Sequence, residues 1–295
     1  MKKMFFVLGL ALALTIQALP LQAADRTQHE CKYKGEVRPY WLYLPENAGP
    51  QTPIVIVLHG YGGKAEKYCP QMMEVAEKEG FAVCYPQGLK DGREKNCWNV
   101  GYPFQADLKR DDVGFLVFLV KHLRKTYGLS PKNAFLCGMS NGGEMCYLMA
   151  HRHPEVFNAF APIAGLTMEW TYKQLTPKAP VPLLEVHGTA DKTSLWNGDL
   201  ADEGGWGAYI SVPSSVARWS AEARCTYEIR EELPLKSENA NPVVLHRYVG
   251  CDPAWKGGPA IEVRLYEVIG GKHAWATGDM DTCQAVWDFF KLYLK

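Results

Sequence analysis

The sequence predicts an α/β fold: a mostly parallel central sheet flanked by helices on both faces. Three observations predict it. Short, almost wholly apolar runs recur along the chain, as strands buried on both faces require. They alternate with stretches of helical periodicity, the order in which a parallel sheet is wound. The 295 residues are 47% hydrophobic, ample for a large core.

The elements follow in order. Residues 38–44 alternate as an early strand, and 53–58 form an apolar one. Residues 71–78 read as a helix and 81–85 as the next strand. The clearest helix spans 111–127. Its acidic start, apolar Val113, Leu116, Val117 and Val120, and basic Lys121, Arg124 and Lys125 near its end complement the helix dipole. A strand at 133–137 and a helix at 143–152 come next, then apolar runs at 159–163, 183–186 and 262–268, and a last helix at 281–294. Segments 166–182 and 193–213 are polar, aromatic and irregular, and are expected to wall a cleft. Residues 1–24 have a basic start at Lys2-Lys3, an apolar stretch over 4–16 and the small pair Ala23-Ala24. They are expected to be a secretory signal peptide, leaving 25–295 as one exported domain, secreted or periplasmic, with no membrane association after cleavage.

The 32 basic and 32 acidic side chains cancel and no long basic run occurs, which argues against a nucleic-acid partner. Nine cysteines behind a signal peptide point to disulfides. Cys84, Cys137 and Cys146 sit in apolar patterns and are expected to be core thiols; Cys31, Cys69, Cys97, Cys225, Cys251 and Cys283 are the bridging candidates. No C-x-x-C or clustered His/Cys spacing occurs, so no metal is expected.

Gly138-Met139-Ser140-Asn141-Gly142 between the strand at 133–137 and the helix at 143–152 is the G-x-S-x-G nucleophile elbow. Small flanking residues let a sharp strand-to-helix turn lift the serine hydroxyl above the sheet. This specifies the α/β-hydrolase fold and makes Ser140 the candidate nucleophile. A hydroxyl needs a base, and the base an orienting carboxylate. His273, in Gly270-Gly271-Lys272-His273 after the strand at 262–268, is the expected base. Asp191, in the loop His187-Gly188-Thr189-Ala190-Asp191 after the strand at 183–186, is the expected acid, with Asp199 and Asp202 as alternatives. His187 is expected to stabilise its loop or pack, and His246 lies in an apolar alternating run. His59-Gly60-Tyr61-Gly62-Gly63 follows the strand at 53–58 like an oxyanion loop, so the main-chain N–H groups of Tyr61 and Asn141 are the expected oxyanion donors. Trp98, Trp196, Trp206, Tyr209 and Trp275 are candidate substrate contacts, because aromatic faces stack on sugars and phenolic rings.

With these residues in place, the chain resembles secreted esterases of carbohydrate esterase family 1, grouped with polyhydroxybutyrate depolymerase-like esterases. The shared pieces are Leu58-His59-Gly60, Tyr85-Pro86, Cys97-Trp98-Asn99, Asp111-Asp112-Val113-Gly114, Gly138 to Gly143, His187 to Asp191, the segment 209–213, and Gly270 to Trp275. The resemblance implies a triad of Ser140, Asp191 and His273 and a Cys225–Cys251 disulfide around a late strand pair. Many relatives carry cysteine where Tyr61 stands, so Cys97 lacks that partner here, with Cys69 a possible substitute. The histidine loop continues Trp275-Ala276-Thr277 where Trp-Pro-Gly is common.

The expected activity is hydrolysis of carboxylic esters on plant cell-wall polysaccharide, feruloyl esters of arabinoxylan first and acetyl esters next, with no cofactor. A polyhydroxyalkanoate depolymerase or general short-chain esterase would share the same catalytic residues. A non-catalytic carbohydrate-binding protein on a hydrolase scaffold is the reading from another class.

Overall fold

Strand β3 (Ile54–Leu58) is buried along its whole length, and its side chains divide between two cores. Ile54, Ile56 and Leu58 face one and Val55 and Val57 the other, as the two-residue period of a strand dictates. A strand apolar on both sides needs a layer on each face, and helices supply both. The computed structural model describes residues 26–251 and 260–295; the signal peptide expected over 1–24 lies outside the described residues.

The other strands are β1 (Thr27–Tyr33), β2 (Glu36–Tyr43), β4 (Ala82–Pro86), β5 (Ala134–Met139), β6 (Phe160–Ile163), β7 (Leu183–Gly188), β8 (Tyr227–Glu232), β9 (Val243–Val249) and β10 (Val263–Val268). Together they form a ten-stranded sheet in the order β1-β2-β4-β3-β5-β6-β7-β10-β9-β8. The stretch from β4 to β10 is parallel throughout. An antiparallel pair closes each end. The helices are α1 (Pro70–Glu79), α2 (Asp112–Tyr127), α3 (Asn141–Arg152), α4 (Glu169–Gln174), α5 (Val212–Glu222) and α6 (Thr282–Lys291). Leu116 and Leu119 of α2, Met145 and Met149 of α3, and Val216 and Trp219 of α5 fill one core. Met72 and Ala76 of α1 and Val286, Trp287, Phe289 and Phe290 of α6 fill the other. This is the α/β-hydrolase fold.

The predicted strands and helices are present, with ends moved by a few residues, and five elements were not foreseen, among them α5, which begins inside segment 193–213, read as irregular. Edge strands β1 and β8 lack an apolar run because much of their surface faces water; β8 is exposed at every residue. Its charged side chains suit an unpaired edge. Strand β9 is the apolar alternating run around His246, and the six-residue α4 falls inside segment 166–182, read as irregular.

Cys225 and Cys251 are disulfide-bonded. Cys84, Cys137 and Cys146 are buried free thiols. Cys69 lies not against Cys97 but against Cys283, sulfur to sulfur at 3.5 Å, because the start of α1 packs beside α6. Cys97 instead faces Gln105 and Arg110.

Candidate active site

The end of β5 turns into α3 at Ser140, whose φ of +57° and ψ of −125° are a strained conformation for a residue with a side chain. Two glycines make the turn possible. A Cβ on Gly138 would lie 2.7 Å from both the Gly142 carbonyl oxygen and Leu58 Cβ, and one on Gly142 would lie 2.5 Å from the Leu58 carbonyl oxygen. The elbow is held from behind by the Ser140 N–H, which donates to the Ile163 carbonyl at 2.8 Å. Ser140 is half-buried, and no hydrogen bond from its Oγ is present among the described residues.

His273 and Asp191 meet across the ends of β10 and β7. His273 Nδ1 lies 2.7 Å from Asp191 Oδ2. The loops that carry them are stitched together: Thr189 N–H donates to the Val268 carbonyl at 2.9 Å and Ala190 N–H to the Gly271 carbonyl at 3.0 Å. A Cβ on Gly188 would sit 2.3 Å from that Gly271 oxygen, so only glycine permits the approach. Asp191 Oδ1 accepts from the N–H groups of Thr193 and Ser194. Burial alone would raise the Asp191 pKa. The hydrogen bond and charge of His273, with the two N–H donors, outweigh it and hold the carboxyl below its ordinary range. Asp199, the alternative acid, is taken up by its own turn: its oxygens accept from the Glu203 and Gly204 N–H groups.

Residues 59–63 pass beside the elbow. A Cβ on Gly60 would lie 3.3 Å from Ser140 Cβ and 3.8 Å from its Oγ. His59 fixes this loop. Its Nε2 takes the Gly88 N–H at 2.9 Å and so must be an acceptor, which leaves the proton on Nδ1, 2.7 Å from the Gly60 carbonyl oxygen. Burial pushes the His59 pKa down to about 4, keeping the ring neutral. Gly63 N–H shares the same carbonyl at 3.0 Å. Pinning the Gly60 C=O also fixes the N–H of Tyr61, since both belong to one planar peptide unit. This role for His59 was not foreseen, because it depends on a partner 29 residues away.

Two of the expected substrate contacts are corrected. Trp98 is 0% exposed and Tyr209 1%, so neither offers a face to a ligand. Trp98 is a clamp: its N–H donates to Asn141 Oδ1 at 2.7 Å, its carbonyl accepts from Asn141 Nδ2 at 3.1 Å, and its indole N–H donates to the His59 carbonyl at 2.9 Å. It joins the two sides of the expected oxyanion site. The Tyr209 hydroxyl accepts the Leu195 N–H and holds the wall in place. Trp196, Trp206 and Trp275 are half-buried. Trp206 belongs to an aromatic group with Tyr61, Tyr102 and Phe104, ring centres 5.0–6.4 Å apart. Phe104 was not singled out from the sequence; it lies within the short Pro103–Gln105 turn, where a single aromatic carries no periodic signal.

Beneath the elbow, Asn141 Nδ2 also reaches the Tyr102 hydroxyl at 3.2 Å, and that hydroxyl donates to Glu144 of α3. Burial pushes the Glu144 pKa up to about 8. Among the described residues, no cluster of three or more His, Cys, Asp or Glu side chains is placed to hold a metal ion.

Residues 38–175 match the family described as Esterase PHB depolymerase. NocK of Nocardia uniformis subsp. tsuyamanensis, a protein named as an esterase, is 27% identical over 280 residues, covering 89% of this chain and 78% of its own length. Feruloyl esterase B of Piromyces equi is 28% identical over 248 residues, 82% of this chain; the match spans only 42% of that longer protein. Among solved structures, acetyl xylan esterase from Aspergillus awamori superposes with a TM-score of 0.61 at 16% identity, covering 90% of this chain and 99% of that one. Residues 38–175 are thus similar to the Esterase PHB depolymerase family, within a chain that has the α/β-hydrolase fold.

Proposed function

We propose that this protein is an exported serine esterase that cleaves carboxylic esters on plant cell-wall polysaccharide, feruloyl esters of arabinoxylan first and acetyl esters next. The observation that carries the catalytic part is the 2.7 Å Asp191–His273 contact at the same sheet edge as the strained Ser140 turn. His273 takes the Ser140 proton as Oγ attacks the ester carbonyl, and Asp191 holds the imidazole and its developing charge. The Tyr61 and Asn141 N–H groups receive the oxyanion, each worth about 3 kcal/mol of barrier. The alcohol leaves with the proton from His273. Water, activated by the same histidine, then releases the acid. No cofactor enters these steps.

The preference for an aromatic acyl group rests on the rings of Tyr61, Phe104 and Trp206 beside the oxyanion loop, and on the similarity to feruloyl esterase B. Trp196 and Trp275 are the remaining candidates for contacts to the sugar. The test is mass spectrometry of acids released from destarched bran and acetylated xylan, with Ser140→Ala as control. Release of ferulate by the wild type alone supports the reading; equal release by Ser140→Ala overturns the triad.

The family match favours a second reading, polyhydroxyalkanoate depolymerase. Turnover of short hydroxybutyrate oligomers well above that of methyl ferulate would select it.

A further inference from the structure

We propose that His187 is a buried imidazolium that positions Asp191 and balances its surroundings, a second histidine serving the acid of the active site. The proposal rests on the reading of Asp191 and His273 as acid and base.

The ring is 1% exposed and enclosed by acceptors. Nε2 lies 2.8 Å from the Ser194 carbonyl oxygen, which cannot donate, so Nε2 carries a proton. Nδ1 lies 2.8 Å from Glu185 Oε1. The Glu185 carboxylate is fully buried and receives two further donors, the Tyr147 hydroxyl at 2.9 Å and the Gly165 N–H at 3.2 Å. Burial raises the Glu185 pKa, against which its two other donors, the Tyr147 hydroxyl and the Gly165 N–H, favour the ionised form; in that form the proton shared with His187 sits on Nδ1. Asp191 Oδ2 stands 3.6 Å from Nε2, a second anion beside the ring. Trp196, an uncharged ring, also packs against it, with ring centres 6.1 Å apart and planes at 66°. Burial opposes the charge on His187, but the hydrogen bond and charge of Glu185, then the Ser194 carbonyl and Asp191, carry its pKa above the ordinary value.

Asp191 Oδ2 therefore touches two rings, His273 at 2.7 Å and His187 at 3.6 Å. With His187 charged, Glu185 is neutralised and one negative charge remains for His273. The cluster then reaches balance at the moment His273 takes the serine proton. His187 acts only through Asp191, so it is a positioning residue.

The sign of its effect follows. Replacing His187 by Gln removes a positive charge next to Asp191, so the carboxylate stabilises the His273 imidazolium more strongly. The acid limb of kcat/KM on p-nitrophenyl acetate should move up by about half a pH unit or more. kcat should fall with KM little changed, because the ester is not touched. A folded His187→Gln protein, by circular dichroism and thermal melting, whose acid limb stays in place or moves down overturns the positioning role. A second measurement does not depend on a variant. Through-bond nitrogen NMR of His187 in the wild-type protein should show both ring nitrogens mostly protonated at pH 6.5, the ordinary midpoint of the group; a mostly unprotonated nitrogen there overturns the imidazolium. Ser140→Ala separates the two readings. If it keeps full activity, the triad fails while the His187 spectrum still reports its own charge. If it is inactive and His187→Gln leaves the pH profile unchanged, only this inference fails.

Discussion

Gly60 stands so close to Ser140 that a Cβ added to it would lie 3.3 Å from Ser140 Cβ and 3.8 Å from Oγ. The loop proposed to hold the oxyanion thus shares its boundary with the nucleophile, and the space between them has room for a hydrogen but not for a comfortable methyl group. The contact is tight by only a few tenths of an ångström, with the Met139 carbonyl oxygen next at 3.4 Å, so Gly60→Ala should fold. It should lose about ten- to a hundredfold in kcat, since a displacement of under an ångström at the reacting centre has that scale. Gly142→Ala provides the contrast. Its methyl would meet the Leu58 carbonyl oxygen at 2.5 Å, main chain that cannot yield without moving β3, and should cost about 1–3 kcal/mol of stability or more. Steady-state kinetics and urea midpoints of both variants check this. A Gly60→Ala enzyme at wild-type kcat would show that the 59–63 loop does not crowd the reacting centre.

Asp112 accepts from Arg38 Nη2 at 2.7 Å, from Arg110 Nε at 2.8 Å and from the Asn99 N–H at 2.8 Å, with the Arg38 and Asp112 side chains fully buried. The Arg38 guanidinium carbon lies over the Phe115 ring, 3.7 Å from its centre, and its other carboxylate, the partly exposed Glu36, is 3.9 Å away. Asp112→Asn therefore leaves a buried guanidinium with little compensation, and should destabilise the fold by about 3–5 kcal/mol. The neighbouring Asn99 also loses its anchor, so activity should fall as the Trp98 clamp loosens. Replacing Arg38 by Met in the Asp112→Asn background should recover part of the stability, and urea unfolding of the two variants measures it. A loss below about 1 kcal/mol for Asp112→Asn would mean that water reaches the pair.

Glu144 carries a pH signature. Its carboxyl is buried under Tyr102 and Asn141, with its pKa pushed up to about 8 by burial, against an ordinary 4.5. Between those values the unfolded chain has lost the proton and the folded chain keeps it. Folding then takes up a proton, so stability falls as pH rises from about 4.5 to 8 and levels off above. Glu144→Gln keeps the shape and removes the ionisation. Its melting temperature should gain on the wild type as pH rises through this window, and the two should converge at the acid end. Parallel pH profiles of melting temperature for the two proteins would rule out a raised Glu144.

The parts of the chain legible from sequence are those whose environment is written locally. Val55, Val57 and their neighbours on β3 are buried on both faces, so an unbroken apolar run betrays them. The elbow at Ser140 and the glycines at Gly270 and Gly271 show through because backbone geometry forbids side chains there. Strand β8 is invisible for the opposite reason: among the described residues it pairs on one side only, and it is exposed at every position. Trp98 and Tyr209 looked like contacts because aromatics in irregular segments resemble cleft walls. Trp98 is instead occupied by Asn141 and His59, and Tyr209 by Leu195, each pairing fixed only once the loops are folded together. The role of His59 escaped for a related reason, and for His187 the sequence pointed only to holding its loop or packing. Which ring nitrogen carries a proton depends on Gly88 and Ser194, and no local pattern encodes that.

The Cys225–Cys251 disulfide closes the open end of the β8–β9 pair, with both strands inside the 26-residue span between the cysteines. Among the described residues, strand β8 has no partner on its outer side, and it has no buried side chain, so its order depends on the β9 ladder and on this bond. Constraining a loop of this length contributes about 3 kcal/mol. The double variant Cys225→Ala/Cys251→Ala should lose that much in urea unfolding, and the amides of residues 227–232 should exchange fastest. Esterase activity at 25 °C should survive, because β9 and β10 separate β8 from the strands that carry Ser140 and Asp191. Hydrogen exchange read by mass spectrometry, alongside kinetics, tests both halves. Unchanged protection of 227–232 would mean that the ladder alone holds the edge, and a parallel collapse of activity would mean that the hairpin supports the His273 loop through β10.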